Sequence, residues 1–222
     1  MSLLEDRLTH YDELLAAARG ERELDLVIRG ARTLNVFSGE LLPGEIGILH
    51  GFIVRVYASG LKARSVIEAE GKIAIPAFID PHLHIESSMV LPPAYAAAVV
   101  PHGTGTILTD PHEIVNVMGV EGFELMQRNS RDLPLRILYD APTCVPSRRK
   151  AERSGADIRA DEIHAMIDLG AAKLGELMSD EEIIAGDPIM SDIIKAGWRR
   201  GVPRCAVARI GIQVAQALDY AH

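Results

Sequence analysis

An α/β protein built around a parallel sheet is what this sequence predicts, on three observations. After Lys72, strand-like apolar runs alternate with helix-length segments four times over, the rhythm that successive β/α units impose. Before that point, residues 24–67 break into short β-like runs separated by Gly30, Gly39, Pro43, Gly51 and Gly60, which predicts a small β module. The polar residues able to do chemistry gather where the runs of the second region end, and parallel sheets carry their sites at the carboxyl ends of their strands.

Taken in order, Leu4, Leu8, Tyr11, Leu15 and Ala18 recur at helical spacing and Gly20 ends the pattern, so residues 2–19 read as an amphipathic helix. Strands of the β module are expected over 24–29, 31–35, 44–49, 52–58 and 65–68. They are few and their edges need covering, so something beyond this segment is expected to complete the module. The β/α units follow as strand 73–79 with a helix near 93–100, strand 104–108 with helix 119–129, strand 135–139 with helix 161–169, and strand 172–178 with helix 188–198. Val207, Ile210, Val214, Ala217, Leu218 and Ala221 form a last helical stripe. The expected division is therefore 1–71 for the helix and β module, 72–200 for the β/α units and 201–222 for the terminal helix.

Composition narrows the function classes. With 222 residues, 48% hydrophobic and 24% charged, the chain can bury a sizeable core. A net charge of −8, with Arg148-Arg149-Lys150 as its main basic cluster, argues against nucleic acid or an anionic membrane surface as partner. No apolar run approaches the ~20 residues that span a bilayer. Two cysteines, Cys144 and Cys205, make no disulfide framework and fit a reducing compartment. Glu5, Asp6 and Arg7 among the first leucines are unlike a secretion signal, so cytoplasm is the expected address.

The first of these strand runs is expected to stop at Asp80-Pro81, because proline interrupts the ladder. His82 and His84 follow, and alternation along an extended chain sends both imidazoles to one side, where they can share a divalent ion. Zinc, iron, manganese and nickel all suit such ligands. Glu86-Ser87-Ser88 adds a polar cluster just beyond. After the second run, Asp110 either caps the following turn or faces the site, while His112 beside Glu113 suits hydrogen bonding to a polar substrate or orienting a ligand. Thr143 and Cys144 follow the third run. In the fourth, Glu176 is a lone carboxylate in an apolar stretch, where a cation is its natural partner, and Gly175 before it permits close approach. A metal shared by His82, His84 and Glu176 would turn water into a nucleophile for an amidine-like or amide carbon. No further aspartate or histidine follows on later strands to act as general base.

Several motifs carry a resemblance. Ile75–Met89, ending His-Leu-His-Ile-Glu-Ser-Ser-Met, His102–Thr106 with Asp110-Pro111-His112-Glu113-Ile114, Asn116-Val117 and Gly119, Ala141–Pro146, and Gly175-Glu176-Leu177-Met178 together resemble the amidohydrolase superfamily, and within it the adenine deaminase branch. Ala77 stands where the family has glycine. The likeness runs from about residue 20 to 198. It implies a partial (β/α)8 TIM-type barrel, of which this chain holds the first four units, preceded by part of a composite β-sandwich. It also implies a binuclear site of iron, manganese or zinc and conversion of a purine substrate, adenine, with water to hypoxanthine and ammonia. Metal ligation falls on His82, His84 and, as the bridging carboxylate, Glu176. Catalytic roles are expected for His112 and Glu113, and substrate binding for Glu86, Ser87 and Asp110. Val207–His222 is instead similar to the helix before the catalytic loop of bacterial Ser/Thr protein kinases, so a truncated or fused frame, inactive by itself, is the expectation. Half a barrel leaves sheet edges open, which predicts homo-oligomers or poor solubility. Two other functions fit the residues less fully: hydrolysis of a cyclic amide, as in hydantoinases and dihydroorotases, and a non-catalytic binding or assembly module.

Overall fold

A computed structural model describes residues 7–149 and 151–201. The chain divides into two compact units, Met1–Pro76 and Ala77–His222.

In the N-terminal unit, helix α1 (Tyr11–Arg19) has Asp12 and Glu13 in its first turn and Arg19 in its last, each complementing the helix dipole. Gly20 ends it in the left-handed conformation. Its buried Leu14 and Ala17 join Leu24, Val27 and Leu49 in a small core. Leu24 and Val27 come from β1 (Leu24–Arg29) and Leu49 from β4 (Glu45–Leu49). These strands belong to a four-stranded sheet in the order β5-β4-β1-β6, with β5 at Phe52–Ala58 and β6 at Ala63–Glu68. A second sheet has the order β3-β2-β7, formed by β2 (Arg32–Leu34), β3 (Leu41–Pro43) and β7 (Ile73–Ala74). The strand expected over 44–49 is β4, and the unexpected β3 just before it lies in the other sheet. Gly44 between them has φ 136°, and a Cβ there would lie 2.5 Å from Tyr57 Cα.

The strand expected over 73–79 is also two strands. Ile73 and Ala74 pair in parallel with β2, and the chain then breaks at Pro76, which lacks an N–H and holds Ile75 out of a regular ladder. The sheet of the C-terminal unit starts with β8 (Phe78–Leu83) and continues with β9 (Thr104–Thr109), β10 (Arg136–Ala141) and β11 (Lys173–Leu174). All pairings are parallel and follow chain order. β8 runs through Pro81 rather than stopping before it. It lies at an edge of the described sheet, where a missing N–H is tolerated, and its register with β9 is irregular between Asp80 and Leu83.

Helices α2 (Pro92–Val99), α3 (His112–Met118), α4 (Val120–Asn129), α5 (Ala160–Asp168), α6 (Asp180–Ile184) and α7 (Pro188–Arg199) complete this unit. Phe123 and Met126 of α4, Ile163 and Met166 of α5, and Met190 and Ile193 of α7 are fully buried around Ile107 of β9. Phe123 meets Tyr139 of β10 edge to face at 5.8 Å. Asp187 caps α7 by accepting from the N–H groups of Ile189 and Met190, and Pro188 fits the first turn. The terminal helix expected over 201–222, kinase-like segment included, lies outside the described residues apart from Gly201.

Candidate metal centre

The ends of β8, β9 and β10 and the segment after β11 supply the polar groups of one cluster. His82 Nε2 lies 2.6 Å from Glu176 Oε1, and His84 Nε2 lies 3.8 Å from the same oxygen. The two imidazoles are perpendicular, with centroids 5.0 Å apart. On the other side His112 Nδ1 stands 3.8 Å from Glu176 Oε2, and its ring is 4.3 Å from that of His84. Sequence positions 82, 84, 112 and 176 therefore meet around one carboxylate. His84 Nδ1 is 2.8 Å from the carbonyl oxygen of Asp110. A carbonyl only accepts, so Nδ1 carries the proton and Nε2 keeps its lone pair toward Glu176.

Glu176 is not on a strand, contrary to the expected run over 172–178. β11 ends at Leu174 because the buried carboxylate of Asp110 takes the N–H of Glu176, at 2.7 Å, that a continuing ladder would use. Gly175 makes this possible: a Cβ there would lie 2.2 Å from Asp110 Oδ2 and 3.1 Å from the carbonyl of Ala141. The close approach expected at this glycine is thus made by a carboxylate of the chain itself. Asp110 caps no helix, since α3 starts after Pro111 without a side-chain cap. Burial pushes its carboxyl up to about 7 against the opposing Glu176 N–H. Burial also holds His112 below the usual imidazole range, with His84 adding to the effect.

The remaining expected residues pair with one another at the rim. Ser87, in a single 3-10 turn over Glu86–Ser88, donates to Glu113 Oε1 at 2.6 Å. Glu86 accepts from the backbone N–H of Ile114 at 3.4 Å, and burial raises its pKa. Two residues close to the cluster had no role assigned from the sequence, although Cys144 was expected at the end of the third run. Cys144 places its sulfur within 4.8 Å of ligand atoms of His112 and Glu176, its thiol pushed up to about 12 by burial and by the charges of Asp110 and Glu176. Asp140, at the end of β10, is buried and paired with Lys173 at 2.5 Å. The position of both just after or within the third strand was the signal available; the partners lie too far along the chain to be read from it.

The donor set fits a divalent cation on two observations. His82, His84 and Glu176 present ligand atoms within 4.8 Å of one another, as do His112, Cys144 and Glu176. Asp110 Oδ1 and His112 Nδ1 are buried without a hydrogen-bond partner, which is costly unless something positive faces them.

Comparison with known proteins gives a match to the Amidohydrolase family over residues 73–214. Adenine deaminase 2 of Rhizobium johnstonii is 42% identical over 198 residues, which cover 88% of this chain and 33% of that protein. The adenine deaminase of Methanothrix thermoacetophila is 43% identical over 184 residues, covering 82% and 32% respectively. The chain thus spans about a third of the length of the curated relatives it matches. Among solved structures, the N-acyl-D-glutamate deacylase of Bordetella bronchiseptica, complexed with zinc and a phosphonate inhibitor, superposes with a TM-score of 0.52 at 17% identity, covering 81% of this chain and 44% of that one. That likeness is one of fold.

Proposed function

The chain belongs to the amidohydrolase family, and from that premise we propose that it supplies the metal-binding part of an adenine deaminase, which converts adenine and water to hypoxanthine and ammonia. The single observation carrying this reading is the convergence of His82, His84 and His112 on the carboxylate of Glu176. The adenine deaminases matched at about 40% identity favour a purine over a cyclic amide or a non-catalytic role.

In this reading the four β/α units are the first half of a (β/α)8 barrel, and the N-terminal unit is part of a composite β-sandwich. A centre of iron, manganese or zinc, binuclear in this reading, would be held by His82, His84 and Glu176, with His112 and Cys144 as further candidate ligands. When bound, such ions supply Lewis-acid activation of water near neutral pH. The chain's own groups do the rest. His84, fixed by the Asp110 carbonyl, offers Nε2 in the correct tautomer. His112, kept neutral by burial, can take a proton, and Glu113 assists it. Asp110, its other oxygen held by the Glu176 N–H, presents Oδ1 3.9 Å from His112 Nδ1, while Glu86 and Ser87 shape the rim toward substrate.

β8 and β11 lie at the ends of the described sheet, with Phe78 and Ile79 exposed, which supports pairing with further strands or a homo-oligomer. No described helix is long and apolar enough to cross a membrane, and a cytoplasmic address fits the purine chemistry. The test is replacement of the corresponding third of the Rhizobium johnstonii relative by this chain. The chimera is expected to release ammonia from adenine and to lose that activity with Glu176→Gln. A folded, metal-loaded chimera that leaves adenine unchanged would refute the proposal.

A further inference from the structure

A second group of metal-type ligands lies in the N-terminal unit, on residues the deaminase chemistry does not use. His10 precedes α1 and Glu13 stands in its first turn, so the two side chains, three positions apart, share one helix face. His50 sits in the tight turn between β4 and β5 with φ 51°, a conformation that non-glycine residues adopt at a cost. Its backbone N–H is tied to the Asp25 carboxylate at 2.8 Å. That posture sets the ring flat against His10, centroids 4.0 Å apart and planes within 20°, and places Nε2 2.6 Å from Glu13 Oε2. One ligand atom from each of His10, Glu13 and His50 falls within 4.8 Å of the others, on half-buried side chains.

Two imidazoles and one carboxylate are a donor set for first-row transition metals rather than for magnesium or calcium. We propose that His10, Glu13 and His50, once one of the two stacked rings turns so that both lone pairs converge, form a site for a zinc-type divalent ion separate from the cluster around Glu176. Glu13 and His50 are 37 positions apart, so the ion closes the loop between α1 and the β4–β5 turn and stabilises the N-terminal unit. Arg22, 2.8 Å from the same Glu13 oxygen, is the competing cation that the metal displaces.

The test uses the full chain carrying His82→Ala, His84→Ala and Glu176→Gln, so that the cluster around Glu176 is disabled. Equilibrium dialysis with zinc is expected to leave one ion per chain and to raise the melting temperature. Adding Glu13→Gln, or His50→Asn, which tolerates the same left-handed backbone, weakens binding at least about tenfold and abolishes the rise in melting temperature. Arg22→Ala leaves binding intact or tightens it. On the unaltered chain, zinc is expected to shift the ring resonances of His10 and His50, which guards against misfolding of the multiple variant. Unshifted rings at saturating zinc, or a retained ion indifferent to Glu13→Gln and His50→Asn, would mean an adventitious ion only and would overturn the proposal. Failure to deaminate adenine would leave it untouched.

Discussion

The carboxylate of Asp110 accepts the backbone N–H of Glu176 at 2.7 Å across 66 positions of sequence. One part-buried hydrogen bond thus joins the end of β9 to the segment after β11 and fixes the backbone that carries the Glu176 side chain. The same aspartate offers its carbonyl to His84, so both the carboxylate and one imidazole of the cluster take their orientation from a single residue.

Gly175→Ala is expected to break this arrangement, because the new methyl group would stand 2.2 Å from Asp110 Oδ2. Either the aspartate or the Glu176 segment must move, at a cost of about 1–3 kcal/mol by the measure of overpacked cores. Urea denaturation and metal titration are expected to show lower stability and weaker binding together. Unchanged values for both would remove the close approach from the account.

In the metal-free chain Asp110 should give stability a distinctive pH dependence. Its folded pKa of about 7 lies above the ordinary 3.8, so between those values the folded state binds more protons than the unfolded one. Stability contributed by this group is therefore full at low pH and is lost as pH rises toward 7. His112, lowered by burial, runs in the opposite sense below its ordinary value and is common to both proteins compared. Asp110→Asn is expected to flatten the fall in urea midpoint between about pH 4 and about pH 7 in the presence of a chelator. Parallel curves for the two proteins would contradict it.

Cys144 is 6% exposed and its thiol is pushed up to about 12, so little thiolate exists at neutral pH. In a Cys205→Ser background, iodoacetamide is expected to react with the folded chain at least about two orders of magnitude more slowly than with the urea-unfolded chain. Equal rates would show the thiol to be open to solvent.

The core of the C-terminal unit should be most sensitive at Phe123, which is fully buried against Tyr139. Phe123→Ala is expected to cost about 3–5 kcal/mol. Tyr139→Phe removes a hydroxyl shared between Ser130 at 2.6 Å and the Met126 carbonyl at 3.1 Å, for about 1 kcal/mol. Chemical denaturation of the two variants checks both the size and the order of these effects.

Much of the architecture was legible because periodicity is local. The alternation of apolar runs and helix-length segments located the four parallel strands, and the two-residue period brought His82 and His84 to one side. What depends on distant partners was not legible. The apolar run from Ile73 looked continuous, yet Ile73 and Ala74 pair with β2 and the barrel-type strand begins at Phe78. Pro81 looked like a stop, but an edge strand tolerates it. The helix of the second β/α unit was expected from residue 119, whereas His112–Met118 is already helical with Val115 as its buried anchor. The shortness of β11 follows from the Asp110 carboxylate, and the nearness of Cys144 to Glu176 from the packing of β10 against β11, neither of which any single stretch of sequence contains.

Anomalous X-ray diffraction from crystals of the chain loaded with manganese or zinc tests the central claim most directly. The account predicts a peak about 2.0–2.2 Å from imidazole nitrogens of His82 and His84 and from a carboxylate oxygen of Glu176. A saturated crystal with no peak at those three side chains, or with His82 and His84 turned away from Glu176, would contradict it.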